Sequence, residues 1–236
     1  MRTPRPLPLR ALQSPVTFAS LAMPLALVAC SKGFGPNFEG EIAMQMQRPG
    51  APKTTMAIKA KGDKLRLEMP GPTGETMTAI YLAQQNKMVV LLAAQKAAMD
   101  VDLAAPGAPQ PNTNAQTSAI DKTGKKETIA GIGCEDWIIK DPSGSRTETC
   151  VAEGLPYLDL DGLRHGGAGS SPWKAEMRAK KTFPLRSVEY DKSGKELTRA
   201  EVTEVKKEKL DDSEFVVPAD YAHVPMGQPI GQVGAH

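Results

Sequence analysis

Three cysteines are the residues best equipped for covalent chemistry: Cys30, Cys134 and Cys150. The last two bound the stretch "CEDWIIKDPSGSRTETC", which reads as strand, turn, strand, with Asp141-Pro142-Ser143-Gly144 supplying the turn. A hairpin centred on Pro142 sets Cys134 and Cys150, eight residues away on either side, directly opposite each other. Opposed residues of an antiparallel pair lie roughly 4.5–5.5 Å apart at Cα, which is within disulfide reach. An even pair left over in an exported chain points to a disulfide, against the alternative of two unrelated free thiols.

Other side chains with catalytic potential lack partners at useful spacings. His165 lies in a glycine loop, His223 near the end, and His236 is the last residue. None has Ser or Cys with an acid at nucleophile spacing, and no G-x-S-x-G occurs. All three read as solvated loop histidines. "DLDG" at Asp159–Gly162 lacks the further ligands and closing Glu of a calcium loop. There is no C-x-x-C to suggest zinc or dithiol redox chemistry, and "GGAGSS" lacks the Lys-Ser/Thr of a phosphate loop. The carboxylates of Glu135-Asp136 and Asp211-Asp212 are sequence neighbours, and neighbours on a strand point to opposite faces. The expectation is a protein that is not an enzyme, with no cofactor and no metal.

Cys30 belongs to a different chemistry. The first ten residues carry Arg2, Arg5 and Arg10 and no acid, and an apolar run of about 14 residues follows, from about Val16 to Ala29. That is short of the roughly 20 residues a membrane-spanning helix requires, and Pro24 breaks it as a helix. A basic start, a short apolar run and small residues before a cut describe a secretory signal peptide over residues 1–29. Leu27-Val28-Ala29-Cys30 resembles a bacterial lipobox. The resemblance implies lipidation of Cys30 and anchoring by several acyl chains. One chain alone holds only marginally, at about 0.8 kcal/mol per buried CH₂. Ser31 in place of Asp implies the outer membrane, with the domain facing the periplasm and the cell surface left open.

Removing 29 of the 236 residues also removes three arginines, so the formal charge falls from +2 to 26 basic against 27 acidic groups, or −1. Nothing in this balance suggests nucleic acid, and the residues name no protein partner. The densest basic cluster, Lys206-Lys207-Glu208-Lys209, is broken by an acid.

These residues must be positioned by strands. After a tether over residues 30–36, reaching at most about 20–25 Å, "NFEGEIAMQMQR", "TTMAIKAK" and "KLRLEM" alternate apolar and polar residues with period two. "ETMTAIYLA" and "KMVVLLAA" form a hairpin around Gln84-Gln85-Asn86, the second run apolar on both faces and therefore covered on both. Residues 104–119 read as a long mobile loop. A short helix is expected at about Trp173 to Lys180, after Ser171-Pro172. "FPLRSVEY" and "KELTRAEVTEVKKEKL" add two strands, and the end fades into a Pro/Gly tail, placed at 226–236. The count is about nine or ten strands in an all-β domain over residues 37–225, one antiparallel sheet that must curl or be covered.

The order of an "FEG" strand, "K-x-x-I-x-G-x-x-C", "FPLR", "VTEV" and "F-x-x-P-x-x-Y" (Phe215, Pro218, Tyr221) resembles a bacterial domain-of-unknown-function family related to the lipoprotein carrier LolA and its receptor LolB. The resemblance spans roughly Phe38 to Pro225. It implies a strongly curved half-barrel sheet with a short helical segment near its concave side, a concavity in which the carriers hold acyl chains. The lipobox brings this chain closer to LolB.

Two functions then compete. In the first, the curved sheet binds a lipid, another hydrophobic ligand or a lipidated partner, in an apolar cavity lined by Ile42, Met44, Met46, Met56, Ile58, Leu65, Leu67 and Met69. Methionine suits surfaces that adapt to irregular ligands, although it also fills core gaps. In the second, the protein is a structural or interaction lipoprotein with a packed core and no ligand.

Overall fold

The structure is a computed structural model, and it describes residues 33–35, 37–71, 74–85, 87–102, 118–157 and 172–225. The signal peptide and Cys30, the loop read at 104–119 up to residue 117, the calcium-like Asp159–Gly162, His165, His236 and the tail at 226–236 lie outside the described residues.

Twelve strands form one sheet, in the order β12-β6-β5-β4-β3-β2-β1-β11-β10-β9-β8-β7. The first meander comprises β1 (Glu39–Gln47), β2 (Thr54–Lys61), β3 (Lys64–Pro70), β4 (Thr76–Leu82), β5 (Lys87–Leu92) and β6 (Ala97–Asp102). The second comprises β7 (Ala119–Ile129), β8 (Ile132–Lys140), β9 (Arg146–Glu153), β10 (Thr182–Tyr190) and β11 (Glu196–Lys207). Among the described residues only β1 and β11 join them, through eight antiparallel register pairs from Gly40↔Lys207 to Gln47↔Arg199. Among the described residues one α-helix, α1 (Pro172–Ala179), is present, and it packs on β10.

The period-two pattern sets the faces. Ile42, Met44, Met56, Ile58, Leu65 and Leu67 leave the first meander on one side and are all buried. They join one core with Ile132, Cys134, Cys150, Phe183 and Leu185 of the second. On a flat sheet β3 and β8 would stand about 29 Å apart at 4.8 Å per strand. Leu67 of β3 and Ile139 of β8 nevertheless line the same cavity, so the sheet is folded over on itself.

The seam between the meanders explains the glycine of "FEG". A Cβ on Gly40 would sit 2.0 Å from the Lys206 carbonyl oxygen, so the two backbones approach too closely for any side chain. The tether is shorter than its sequence implies. Phe34 is buried, its N–H donates to the Glu153 carbonyl at 2.7 Å, and its ring packs edge-on against Phe38 and Phe183.

β6 and β12 (Ala222–Pro225) account for the excess over nine or ten strands, and the two pair with each other in parallel. The chain before β12 forms a strap. It crosses the outer face, onto which Lys59, Lys61 and Arg66 emerge. The Leu210 carbonyl accepts from Lys61 at 2.8 Å, and a 3-10 turn at Asp212–Phe215 places Glu214 against Lys59 while its carbonyl accepts from Arg66 at 3.0 Å. Phe215 is buried, and Val217 and Tyr221 pack on Ile80, Val89, Leu91 and Ala98. The two-sided apolar character of "KMVVLLAA" follows: Met88 faces the main core, while Val89 and Leu91 face this strap.

Cys134 and Cys150 form a disulfide with Cα atoms 5.4 Å apart. The hairpin that carries it does not centre on Pro142. Asp141 N–H donates to the Ser145 carbonyl, and the Asp141 carboxylate accepts from Ser143 N–H, giving a five-residue turn with Lys140↔Arg146 as the first pair. Cys150 therefore faces Asp136, and the bond to Cys134 runs diagonally. A loop of this length closed by a disulfide contributes about 3 kcal/mol in the chain-entropy account. The Cys134→Ala/Cys150→Ala double variant should lose about that much unfolding free energy in urea titration, and peptide mapping without reductant should recover the linked pair from the unmodified protein.

Candidate functional site

The folded sheet and α1 enclose a cavity of about 420 Å³. Its first wall is the inner face of β1–β3. Met44 pairs with Met56 and Met46 with Thr54, so three thioethers and a threonine share one patch of two strands. Ile58, Leu65 and Leu67 continue this wall, none more than 2% exposed. Six of the eight cavity residues read from the sequence thus line it. Ile42 is fully buried in the core instead, and Met69 packs against the core from the side. Ile42 pairs with Ile58 and with Val205, and these neighbours bury it within the core.

The second wall carries hydroxyls. Thr149 of β9 pairs with Ser187 of β10, Ser187 with Ala200 of β11, and Ala200 with Met46 of β1, so one row crosses from the second meander to the first. A second row runs Thr147, Glu189, Thr198. Thr198 donates to the Glu189 carboxylate at 3.1 Å and Thr149 to the Arg186 carbonyl at 2.9 Å, so these hydroxyls enter the cavity partly satisfied. One end is closed by Tyr157, Trp173, Met177 and Phe183. At the other, Gln47, Arg48, Ala51 and Pro52 form an exposed rim. The hydroxyl wall escaped the sequence reading, because alternation in "RTETC" and "RSVEY" separates two faces without saying which one turns inward.

Among the described residues, the other clusters of titratable side chains are already paired. Ligand atoms of Glu127, Asp136 and Cys150 lie within 4.8 Å of one another. However, Cys150 is in the disulfide, and Arg186 reaches Glu127 at 2.8 Å and Asp136 at 3.4 Å. Lys125 also pairs with both carboxylates. The cations already occupy the place a metal would take. Glu135 and Asp136 point to opposite faces, as read, and Asp211 caps the 3-10 turn while Asp212 pairs with Lys61 and Lys64. His223 is in a strand and not a loop, with Nδ1 2.8 Å from Asp100, which also pairs with Lys87. Partial burial pushes the Asp100 carboxyl up, but Lys87 and His223 together hold it below its ordinary value.

Among the described residues no helix is long and apolar enough to cross a membrane. A family profile described as a domain of unknown function, DUF4412, matches residues 38–221. The chain belongs to the DUF4412 family. No curated protein matches it in sequence. Among solved structures the DUF4412 chain is similar to an uncharacterised conserved protein from Thermus thermophilus, with 14% identity, 80% of this chain and 91% of that chain covered, and a TM-score of 0.48. It is similar to MucB in the Pseudomonas aeruginosa MucA/MucB complex, with 14% identity, 78% and 57% covered, and a TM-score of 0.43; the chain thus spans little more than half of MucB. A LolA-superfamily protein of Nitrosomonas europaea shares 12% identity over 80% of this chain and 94% of that one, with a TM-score of 0.34.

Hydrogen bonds from Lys125 and Arg186 lower the Glu127 carboxyl from 4.5 to about 2. A depressed carboxyl contributes stability above its unfolded value and loses it as pH falls toward its folded one. Urea midpoints should therefore drop between pH 4.5 and pH 2, and the Glu127→Gln variant should show a shallower drop over that same interval.

Proposed function

We propose that this DUF4412 protein is a lipid-anchored envelope protein without catalytic chemistry, and that its curved sheet holds a hydrophobic ligand in the methionine-walled cavity. The cavity carries the reading. At about 420 Å³ it falls within the roughly 300–1,000 Å³ of small-molecule sites, which are mostly apolar with a few placed polar groups. Flexible thioethers on one wall allow it to accept chains of irregular shape.

The anchor rests on the Leu27–Cys30 lipobox. With Phe34 docked, at most a few residues separate Cys30 from the folded domain. The cavity would stay within reach of membrane lipid, at the outer membrane and facing the periplasm. Expression with the native N-terminus should give a membrane-bound product whose intact mass starts at an acylated Cys30, and Cys30→Ala should yield an unacylated one. An unacylated, soluble product from the native sequence would refute the anchor.

The ligand reading is tested by filling the cavity. Ala200 lies half-buried in its wall, and Ala200→Phe should occupy the space at about 1–3 kcal/mol of stability or less. Native mass spectrometry should find co-purified lipid on the unmodified protein and none on the variant. Equal results for the two, with no bound lipid in either, would leave the structural lipoprotein with a packed core as the function.

A further inference from the structure

We infer that the cavity takes a single-chain anionic amphiphile, with its hydrocarbon tail against the methionine wall and its charged head at the Arg48 rim. This rests on the ligand-holding reading of the same site and adds the chemical class and orientation of the occupant.

Size comes first. A volume of about 420 Å³ lies near the lower end of the ligand-site range. The floor is closed by Ile58, Leu65 and Leu67, which are almost fully buried. One chain fits this space, and a bundle of several chains does not.

Polarity fixes the direction. The apolar floor offers no donor to an ionised head, and an unpaired charge is strongly disfavoured away from water. The tail must therefore point inward and the head outward. Each methylene transferred from water contributes about 0.8 kcal/mol, so the floor and the methionine wall supply affinity while the rim supplies selectivity.

Charge selects the head. Three cations line the cavity from three elements: Arg48 after β1, Arg199 on β11 and Lys174 on α1. Arg199 is committed to Glu196, with both carboxylate oxygens held at 2.8 and 3.1 Å, and has Glu201 at 4.0 Å. Lys174 sits over the Trp173 ring at 5.5 Å. Arg48 has no ion pair among the described residues and stands on the exposed turn. Among the described residues the only acid lining the cavity is Glu189, and its carboxylate accepts from Thr198. With Glu189 held by Thr198 and Arg199 by Glu196, Arg48 is the cation left to meet a negative head. A carboxylate and a phosphate share this chemistry, so a free fatty acid and a lysophospholipid are both within the class.

The test uses the full chain in nanodiscs of neutral phosphatidylcholine. It is exposed to photoreactive hexadecanoic acid, photoreactive lysophosphatidylglycerol or photoreactive hexadecanol, with cross-links mapped by peptide mass spectrometry. All three probes enter the bilayer, so the labelled peptide reports the site. The acids should label the peptides bearing Met44 to Met56 at concentrations about fivefold below the alcohol, the size expected of one partly exposed charge pair. Arg48→Gln should erase that preference. Labelling by only one of the two acids would support the class and name its head. Equal labelling by acid and alcohol would overturn the anionic class and leave the cavity reading standing. No labelling of those peptides by any probe would overturn both.

Discussion

The pairing of β1 with β11 is the constraint on which the rest of the structure depends. It joins residues about 160 positions apart, and among the described residues no other ladder connects the two meanders. Each meander alone presents one apolar face to water. The seam turns those faces toward each other and makes a core and a cavity between them. Its backbone approach is close enough to demand glycine at position 40, and its ladder shifts between Ala43 and Met44, beside the first methionine of the cavity wall. Such irregularities bend a strand and increase its twist, which a sheet folded over on itself requires. Because the seam is so non-local, its loop-closure entropy must be met before its contacts form. Formation of the seam is therefore expected late in folding.

The C-terminal strap solves a second problem created by the same fold. A sheet folded over its inner face still has an outer one, and in β4–β6 that face carries Ile80, Val89, Leu91 and Ala98. The strap covers them with Val217 and Tyr221 and is pinned by Lys59, Lys61, Lys64 and Lys96 to Glu214, Asp212 and Asp220. It ends by pairing with β6, which would otherwise be an open edge. The opposite edge, β7, is protected by other means: a register break at Lys122–Lys126 and exposed lysines. The motif spaced as Phe215, Pro218 and Tyr221 is thereby explained by packing, with Pro218 accepting from the Tyr221 N–H at 3.0 Å.

A cavity with a thioether wall and a hydroxyl wall is a consequence of drawing its two sides from different meanders. β1–β3 contribute residues selected by alternation within one amphipathic run, whereas β9–β11 contribute Thr147, Thr149, Ser187 and Thr198 by register across three strands.

The sequence by itself determined the all-β class, the apolar faces of β1–β3, the double-sided burial of "KMVVLLAA", the short helix and the pairing of Cys134 with Cys150. These depend on local periodicity and turn chemistry, which operate over a few residues. The tertiary structure alone decided the rest. It set the disulfide hairpin one residue away from Pro142, because the Asp141 carboxylate organises a five-residue turn. It made strands of "AAMDVD" and "AHVP", which have too few residues for any pattern: the first pairs along β5, and the second adds to the first at the edge. It buried Phe34, moved Ile42 and Met69 out of the cavity wall, and turned the threonines of β9 inward. Each of those outcomes depends on which distant strand lies alongside, and a period of two is the same on either face.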